Sequence, residues 1–583
     1  MKLKTLSVQS LALVCLLGLS SLRANATQMP EWLHHAVFYQ VYPSSFMDSD
    51  GNGIGDLKGI ISQLDYIKSL GVTTIWLNPI CCSEFQDGGY DVTDFYKVDP
   101  RFGTNDDLVS LLHQAHKRGL KVLMDLVAGH TSDKHPWFLE SALPTSELQY
   151  SNYYIWTNKV SEKEAKAQEA VKTAKKAEDA ETTVFRFTTY VEANAPRAKY
   201  YEKNCFIFQP ALNYGYANPD PTHPWEQAVT APGPQAVRRE LRNIMQFWYD
   251  KGVDGFRVDM AASLVKNDPD RKETIKLWNE IREWQNNNYP DCILLAEWGN
   301  PQEAIQAGFN VDFMFHFGVP GYPSMLFEPG TPYGRRNKHE HCYFDKSGAG
   351  VIKDFIENYT DSYTKTKGEG YIVLPSCNHD FQRPNIGSRN TIDQLKVTMT
   401  FFMTMPGMPL LYYGDEIGMK YKDLPSKEGS GDRAGARTPM QWTSGINAGF
   451  STAQPKDIYL PVDTENGKLT VDTQENDPAS MLNFTKSLIA LRQGSKALGN
   501  DGEWQLISDV NKPYPMVYKR YAGNEVYVIA LNPGAKSVVA KIPALRRKPQ
   551  LVIGEKKNGN YKSGKVNDVI RMKGVTALVY KMN

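Results

Sequence analysis

Gly255-Phe256-Arg257-Val258-Asp259 is a short apolar run that ends on an acid. Two later stretches repeat the form: Ile293-Leu294-Leu295-Ala296 leads into Glu297, and Tyr371-Ile372-Val373-Leu374 precedes Asn378-His379-Asp380. Working outward, eight runs rich in β-branched and aromatic residues recur: Ala36–Tyr42, Val72–Ile80, Leu120–Val127, Val253–Met260, Cys292–Glu297, Asp312–Phe317, Tyr371–Leu374 and Met408–Tyr413. Near-continuous apolar character, without alternation, suits strands buried on both faces of a parallel sheet. Helical stripes lie between them. Leu57–Leu70 carries Leu57, Ile60, Ile61, Leu64, Ile67 and Leu70 before Gly71, and Asp106–Arg118 and Gln235–Tyr249 behave similarly. Eight β/α alternations predict a closed (β/α)8 TIM barrel. An open doubly wound sheet is the alternative, but no G-x-G-x-x-G follows an early strand.

A chain of 583 residues exceeds one ordinary domain. The interval from His130 to Pro234 is too long for a loop and predicts an inserted subdomain over residues 131–234. Within it, Ser161–Glu181 is almost all Ala, Lys, Glu and Gln, which reads as a solvated helix or helical hairpin. The barrel then occupies residues 27–130 and 235–495. Its polar, Gly-rich stretch Tyr413–Asp477 is a long loop over the catalytic face, and Ser480–Leu491 is its last helix. Beyond residue 496 the period changes. Met516–Lys519, Glu525–Ala530, Ser537–Ile542 and Val575–Val579 alternate like antiparallel strands, predicting a C-terminal β-sandwich over 496–583.

The N-terminus reads as a signal peptide. Lys2 and Lys4 precede the apolar run Leu11–Leu19, and Ala24-Asn25-Ala26 is a small-residue cleavage pattern. Cleavage after Ala26 would export the chain to the periplasm or the medium. Residues 1–26 carry Lys2, Lys4 and Arg23 and no acid, so the formal charge of +1 becomes −2 in the mature chain. That balance offers no electrostatic case for a nucleic-acid partner. No later stretch is long and apolar enough to span a bilayer. Six cysteines remain (Cys81, Cys82, Cys205, Cys292, Cys342, Cys377), and the sequence allows either disulfides or buried thiols.

In a parallel barrel, functional side chains project from the C-terminal strand ends. Asp259, Glu297 and Asp380 follow the fourth, fifth and seventh runs. His130 follows the third, and Tyr90 and Asp91 lie after the second. Paired carboxylates converging there are the equipment for glycosidic cleavage.

These pieces also carry a resemblance. Gly89-Tyr90-Asp91, Asp125 through Asp133, Gly255–Asp259, Ala296-Glu297-Trp298, Asn378-His379-Asp380 and Arg437-Thr438-Pro439-Met440-Gln441-Trp442 appear in the order and spacing of the α-amylase family of retaining glycoside hydrolases. The chain is most similar to the branch of oligo-1,6-glucosidases, α-glucosidases and trehalose synthases. The resemblance implies that Asp259 is the nucleophile, Glu297 the acid and then the base, and Asp380 the transition-state stabiliser. It implies substrate binding by Tyr90, Asp91, His130, His379 and Arg437, with Arg257 keeping Asp259 ionised.

A second constellation is Asp48-Ser49-Asp50-Gly51-Asn52-Gly53-Ile54-Gly55-Asp56. Oxygen side chains at alternate positions can wrap a hard cation, or form only an Asx-rich turn. The branch resembled carries a similar loop. By that resemblance Asp48, Asp50, Asn52 and Asp56 would ligate calcium with side chains and Ile54 with its carbonyl, as a structural ion. Three positions depart from the family pattern. Gly129 stands where Asn is usual, Ala211 where Asp is usual, and Met260 after the nucleophile where relatives carry smaller residues.

The expectation is an exported retaining glycosidase acting on α-1,4- or α-1,6-linked gluco-oligosaccharides or starch-derived glucans. The alternatives are a transglucosidase or isomerase such as a trehalose synthase, and a non-catalytic sugar-binding ectodomain. Binding-only relatives typically lose the carboxylates, and this chain keeps all three.

Overall fold

The computed structural model describes residues 29–145, 147–166, 189–314, 321–425, 427–428, 433–463 and 469–583. The predicted signal peptide, most of Ser161–Glu181 and the end of the sixth apolar run lie outside these residues.

Each of the eight runs contains a strand of one closed parallel barrel, to within one residue at the sixth and seventh, where the strands reach Val311 and Pro375. The strands are β1 (Phe38–Val41), β2 (Thr74–Leu77), β3 (Lys121–Val127), β4 (Gly255–Asp259), β5 (Ile293–Ala296), β6 (Val311–Phe313), β7 (Tyr371–Pro375) and β8 (Met408–Tyr412). Each pairs with its neighbours in chain order, and β8 closes on β1 through Phe38 opposite Leu410. Apart from Lys121, every residue of these strands is buried, which is why no alternation marked them in the sequence. Gly255 opens β4 because an added Cβ would lie 2.5 Å from the Ile293 carbonyl oxygen of β5. The register sets Asp259 beside Val127 and Ala296 beside Asp312, so acids from three adjacent strands reach one end of the barrel.

Local signals fix the helices. Thr104 and Asp107 form a capping box at the start of Asn105–Lys117. The helix expected from Gln235 begins at Pro232, where proline's fixed φ suits the first turn. The stripe Leu57–Leu70 differs from expectation, forming two short helices, Leu57–Ser62 and Leu64–Ser69, hinged at Gln63. The first is held flush on the preceding loop, since a Cβ on Gly59 would meet the Met47 carbonyl at 2.0 Å.

The stretch between β3 and the Pro232–Tyr249 helix contains the helix Pro136–Ser141 and a three-stranded sheet of Trp156–Thr157, Tyr200–Glu202 and Tyr190–Glu192. A bridge between His130 and Ala211 fastens this region to the end of β3. The C-terminal region forms a five-stranded and a three-stranded antiparallel sheet. Val517, Val528, Ile542, Ile570 and Leu578 pack between them as a separate core. It docks on the barrel through Tyr518 Oη and Thr404 Oγ1 at 2.6 Å. None of the six cysteines among the described residues forms a disulfide. No described helix is long and apolar enough to cross a membrane.

Candidate active site

A cavity of about 310 Å³ opens at the C-terminal end of the barrel. Asp259, Glu297 and Asp380 all line it, with Tyr90 and His130. Asp259 is the last residue of β4 and Glu297 directly follows β5. Asp380 sits in the turn after β7, its N–H donating to Asn378 Oδ1 at 2.8 Å.

Arg257 lies beneath the acids, 2% exposed. Its Nη1 donates to Asp125 Oδ1 at 2.8 Å and Asp259 Oδ1 at 3.1 Å, and its Nη2 pairs with Glu297 Oε2 at 2.6 Å. Asp259 and Glu297 thus sit on the two Nη atoms of one guanidinium. The resemblance assigns Arg257 to Asp259 alone, whereas here one guanidinium serves three carboxyls. Burial therefore prevails over its attraction. It pushes Asp259 up to about 7 and Glu297 to about 8, the latter raised further by Asp259 and Asp380. Burial thus raises both members of the pair.

Asp380 is the opposite case. Burial raises it, but His379, Arg433 and Arg437 together hold it well below the usual carboxylate range. Burial keeps His379 neutral, so the arginines carry that attraction. Arg433 Nε lies 3.4 Å and Arg437 Nη2 3.5 Å from Asp380 Oδ1. Two acids are thus available to exchange a proton, and a third stays ionised beside them.

The other expected residues divide into wall and support. Tyr90 and His130 form wall. Tyr90 Oη donates to Asp125 Oδ2 at 2.9 Å and its ring stacks on His379 at 5.4 Å between centroids. His130 accepts from Asn204 Nδ2 at 3.1 Å on Nδ1, which puts its proton on Nε2, 3.2 Å from the Tyr90 carbonyl. Burial lowers it to about 3, so it is neutral. His379, Arg257 and Arg437 stand behind the wall. Arg437 Nε donates to the His379 carbonyl at 2.8 Å. Asp91 does not line the cavity. It is fully buried and organises its own loop by accepting from Ser83 Oγ at 2.9 Å, Asp87 N at 3.1 Å and Gln86 N at 3.2 Å.

The loop from Asp48 to Asp56 brings the carboxylates of Asp48, Asp50 and Asp56 within 4.8 Å of one another. None of the three joins an ion pair among the described residues. Backbone donors hold them in place. Asp48 Oδ1 accepts from Gly51 N at 2.8 Å, Asn52 Oδ1 from Ile54 N at 2.8 Å, and Asp56 Oδ1 caps the helix at Gly59 N at 2.8 Å. Three converging carboxylates without a cationic side chain fit a hard divalent cation.

The description "Alpha amylase, catalytic domain" fits residues 40–501, the whole barrel with its insert. The chain belongs to the α-amylase family. It is a glycoside hydrolase of that family. It is 32% identical to the trehalose synthase/amylase TreS of Mycobacterium tuberculosis, over 85% of this chain and 80% of that protein. It is 31% identical to the oligo-1,6-glucosidase of Parageobacillus thermoglucosidasius, over 94% and 99%. The trehalulose synthase of Pseudomonas mesoacidophila shares the fold, with a TM-score of 0.74 at 22% identity over 95% of this chain and all of the other.

This family member also places residues in the cavity that sequence reasoning passed over. Asp87 pairs with Arg433 Nη1 at 2.7 Å and accepts from Gln209 Nε2 at 2.9 Å. Together they build the wall beside Asp380. Asp87 precedes Tyr90 by three residues, the one local signal that could have found it. Arg433 carried none. Cys205 and Trp298 complete the lining from the insert and from the loop after β5.

Proposed function

We propose that the protein is a retaining α-glucosidase that removes glucose units from short α-linked gluco-oligosaccharides. The observation that carries this reading is the pairing of Asp259 Oδ1 and Glu297 Oε2 with the two Nη atoms of one guanidinium, at 3.1 and 2.6 Å. An inverting pair stands roughly 6.5–9.5 Å apart to admit a water, whereas a retaining pair stands about 5 Å apart. Two acids held on one guanidinium support the close pair. In the first step Asp259 attacks the anomeric carbon while Glu297 gives its proton to the leaving oxygen. Burial, which raises the Glu297 carboxyl, supports its role as the acid. In the second step Glu297 takes a proton from water, which displaces Asp259. Asp380, held ionised, would stabilise the oxocarbenium-like transition state, and Asp87 with Arg433 would hold the glucose hydroxyls. A cavity of about 310 Å³ lies at the small end of ligand sites, which favours a short substrate.

The second reading is glucosyl transfer or isomerisation, with a retained sugar in place of water. It is supported by the 32% identity to a trehalose synthase/amylase. One experiment tests both. p-Nitrophenyl α-glucoside, maltose, isomaltose and trehalose are each followed by proton NMR from the first seconds. α-Glucose as the first product from the aryl glucoside supports retention with hydrolysis, a new disaccharide supports transfer, and β-glucose as the first product from the aryl glucoside refutes the retaining pair.

Calcium at Asp48, Asp50, Asn52, Ile54 and Asp56 belongs to the same proposal, as a structural ion that would fix the loop against Ser451, whose Oγ donates to Asp48. So does export with loss of residues 1–26, which N-terminal sequencing of the mature protein checks.

A further inference from the structure

The cavity has two unlike sides. Asp87, Gln209, Arg433 and Asp380 make one side dense in charge and hydrogen bonds. Met260, Ala262, Ser263, Trp298 and Gly299 make the other, around Glu297. Glu297 delivers its proton to the departing oxygen, so this second side faces whatever leaves and whatever later attacks.

That side is a strained loop under load. Met260 has φ of +43°, unusual for any residue but glycine. Its N–H donates to Glu297 Oε2 at 3.0 Å. Ser263 Oγ lies 2.8 Å from the Met260 carbonyl oxygen. Strain of this kind persists only where the surroundings over-determine it.

The surroundings converge on one amide. Asn204, from the insert, donates from Nδ2 to His130 Nδ1 at 3.1 Å and approaches Met260 Sδ at 3.8 Å. Its Oδ1 lies 3.3 Å from Ser263 Oγ and 3.4 Å from Lys266 Nζ. Both amide protons are engaged, and Oδ1 accepts from Lys266 and shares the single Ser263 hydroxyl proton with the nearer Met260 carbonyl. Lys266 is anchored in turn 3.8 Å from buried Glu202, which accepts from Tyr216 Oη at 2.5 Å. Room for the amide comes from Gly129. A Cβ there would lie 2.6 Å from Asn204 Nδ2. Gly129 is where the chain leaves the pattern it resembles, and the vacated space is what Asn204 fills.

We propose that Asn204 is a positioning residue that holds the 260–266 loop and thereby sets how the glucosyl-enzyme divides between water and a sugar hydroxyl. The inference rests on the retaining reading above. In either fate the ester bond between Asp259 and the anomeric carbon breaks. A bond from the attacking oxygen to that carbon forms, and the attacker's proton passes to Glu297. Only the attacker differs, and the loop shapes the space it occupies.

The test uses p-nitrophenyl α-glucoside with methyl α-glucoside as the added acceptor. Nitrophenol counts every glucosyl-enzyme formed and free glucose counts those captured by water. Their ratio is independent of how much enzyme is folded, so a merely structural defect leaves it unmoved. Asn204→Ala should shift the ratio by about fivefold, the scale of one lost hydrogen bond. Gly129→Ala, which crowds the amide out, should shift it in the same direction. Asn204→Asp keeps an acceptor for Ser263 and Lys266 but loses the donor to His130 and Met260, and should shift the ratio less than Asn204→Ala does. Unmoved ratios in Asn204→Ala and Gly129→Ala would overturn the inference, as would equal shifts in Ala and Asp. Failure of the underlying reading looks different, with β-glucose formed by the wild type itself.

Discussion

Asp125→Asn tests the electrostatics of the site where they can be worked from distances. Asp125 and Asp259 both accept from Nη1 of Arg257, at 2.8 and 3.1 Å. Two such bonds at an ordinary angle put the oxygens about 5 Å apart, an interaction of about 3 kcal/mol at an effective dielectric of about 20. That equals about 2 pKa units. Asp125 is itself pushed up to about 6 by burial, so it is largely ionised at neutral pH and exerts most of this repulsion. The sign follows. Asp259 must lose its proton to attack, so it governs the acid limb of kcat/KM, and Glu297 must keep its proton, so it governs the alkaline limb. The wild-type limbs should fall near 7 and 8 and belong to the pair as a unit. Asparagine removes the repulsion and leaves more of Arg257 for the other two acids. The acid limb should then move down by about 1–2 units, with the alkaline limb following by less. The assay is kcat/KM for an aryl α-glucoside from pH 4 to 9, with thermal melts to verify folding. A folded variant with an unmoved acid limb would refute the shared-guanidinium account.

Three further outcomes are expected. Glu297→Gln should lose the alkaline limb and about 10²–10⁴-fold in rate on maltose, while an aryl glucoside that needs no proton still releases its first nitrophenol; equal losses on both would refute the acid role. Asp312, on β6, accepts from Trp298 N at 3.0 Å, yet its buried Oδ2 has no hydrogen-bond partner among the described residues and burial pushes its carboxyl up to about 8. Its folded pKa exceeds the unfolded value, so its contribution favours folding at low pH and is lost as pH rises toward 8. Asp312→Asn should therefore gain stability relative to wild type between pH 5 and 9, and a melting difference that ignores pH would refute this. Chelation should lower the melting temperature by the linkage expected of a bound ion, about 2.7 kcal/mol at one hundred times Kd; Asp50→Asn should abolish the response, and an identical response in that variant would place the ion elsewhere.

The chain by itself determined the barrel and the three acids. Strand burial on both faces writes itself as unbroken apolar runs, and Asp259 and Glu297 end such runs while Asp380 follows its own within a few residues, so one short window holds the information. The long insert, the change of period near residue 496 and the Asp48–Asp56 loop were legible for the same reason. The hinge at Gln63 was not, because the apolar stripe through Leu57–Leu70 runs on without a break. Nor were the partners of the acids. Asp87 meets Arg433 across 346 residues of chain, and Asn204 meets Met260 across 56. Asp91 reads as a site residue by its place beside Tyr90, but three local donors turn its carboxylate inward. The electrostatics of the acids were equally out of reach, since they depend on one guanidinium divided among three buried carboxyls. Sequence determines which groups stand at strand ends because that is a local periodicity. Tertiary structure decides which charges share a dielectric, because electrostatic energy depends on distance and burial, and neither is written along the chain.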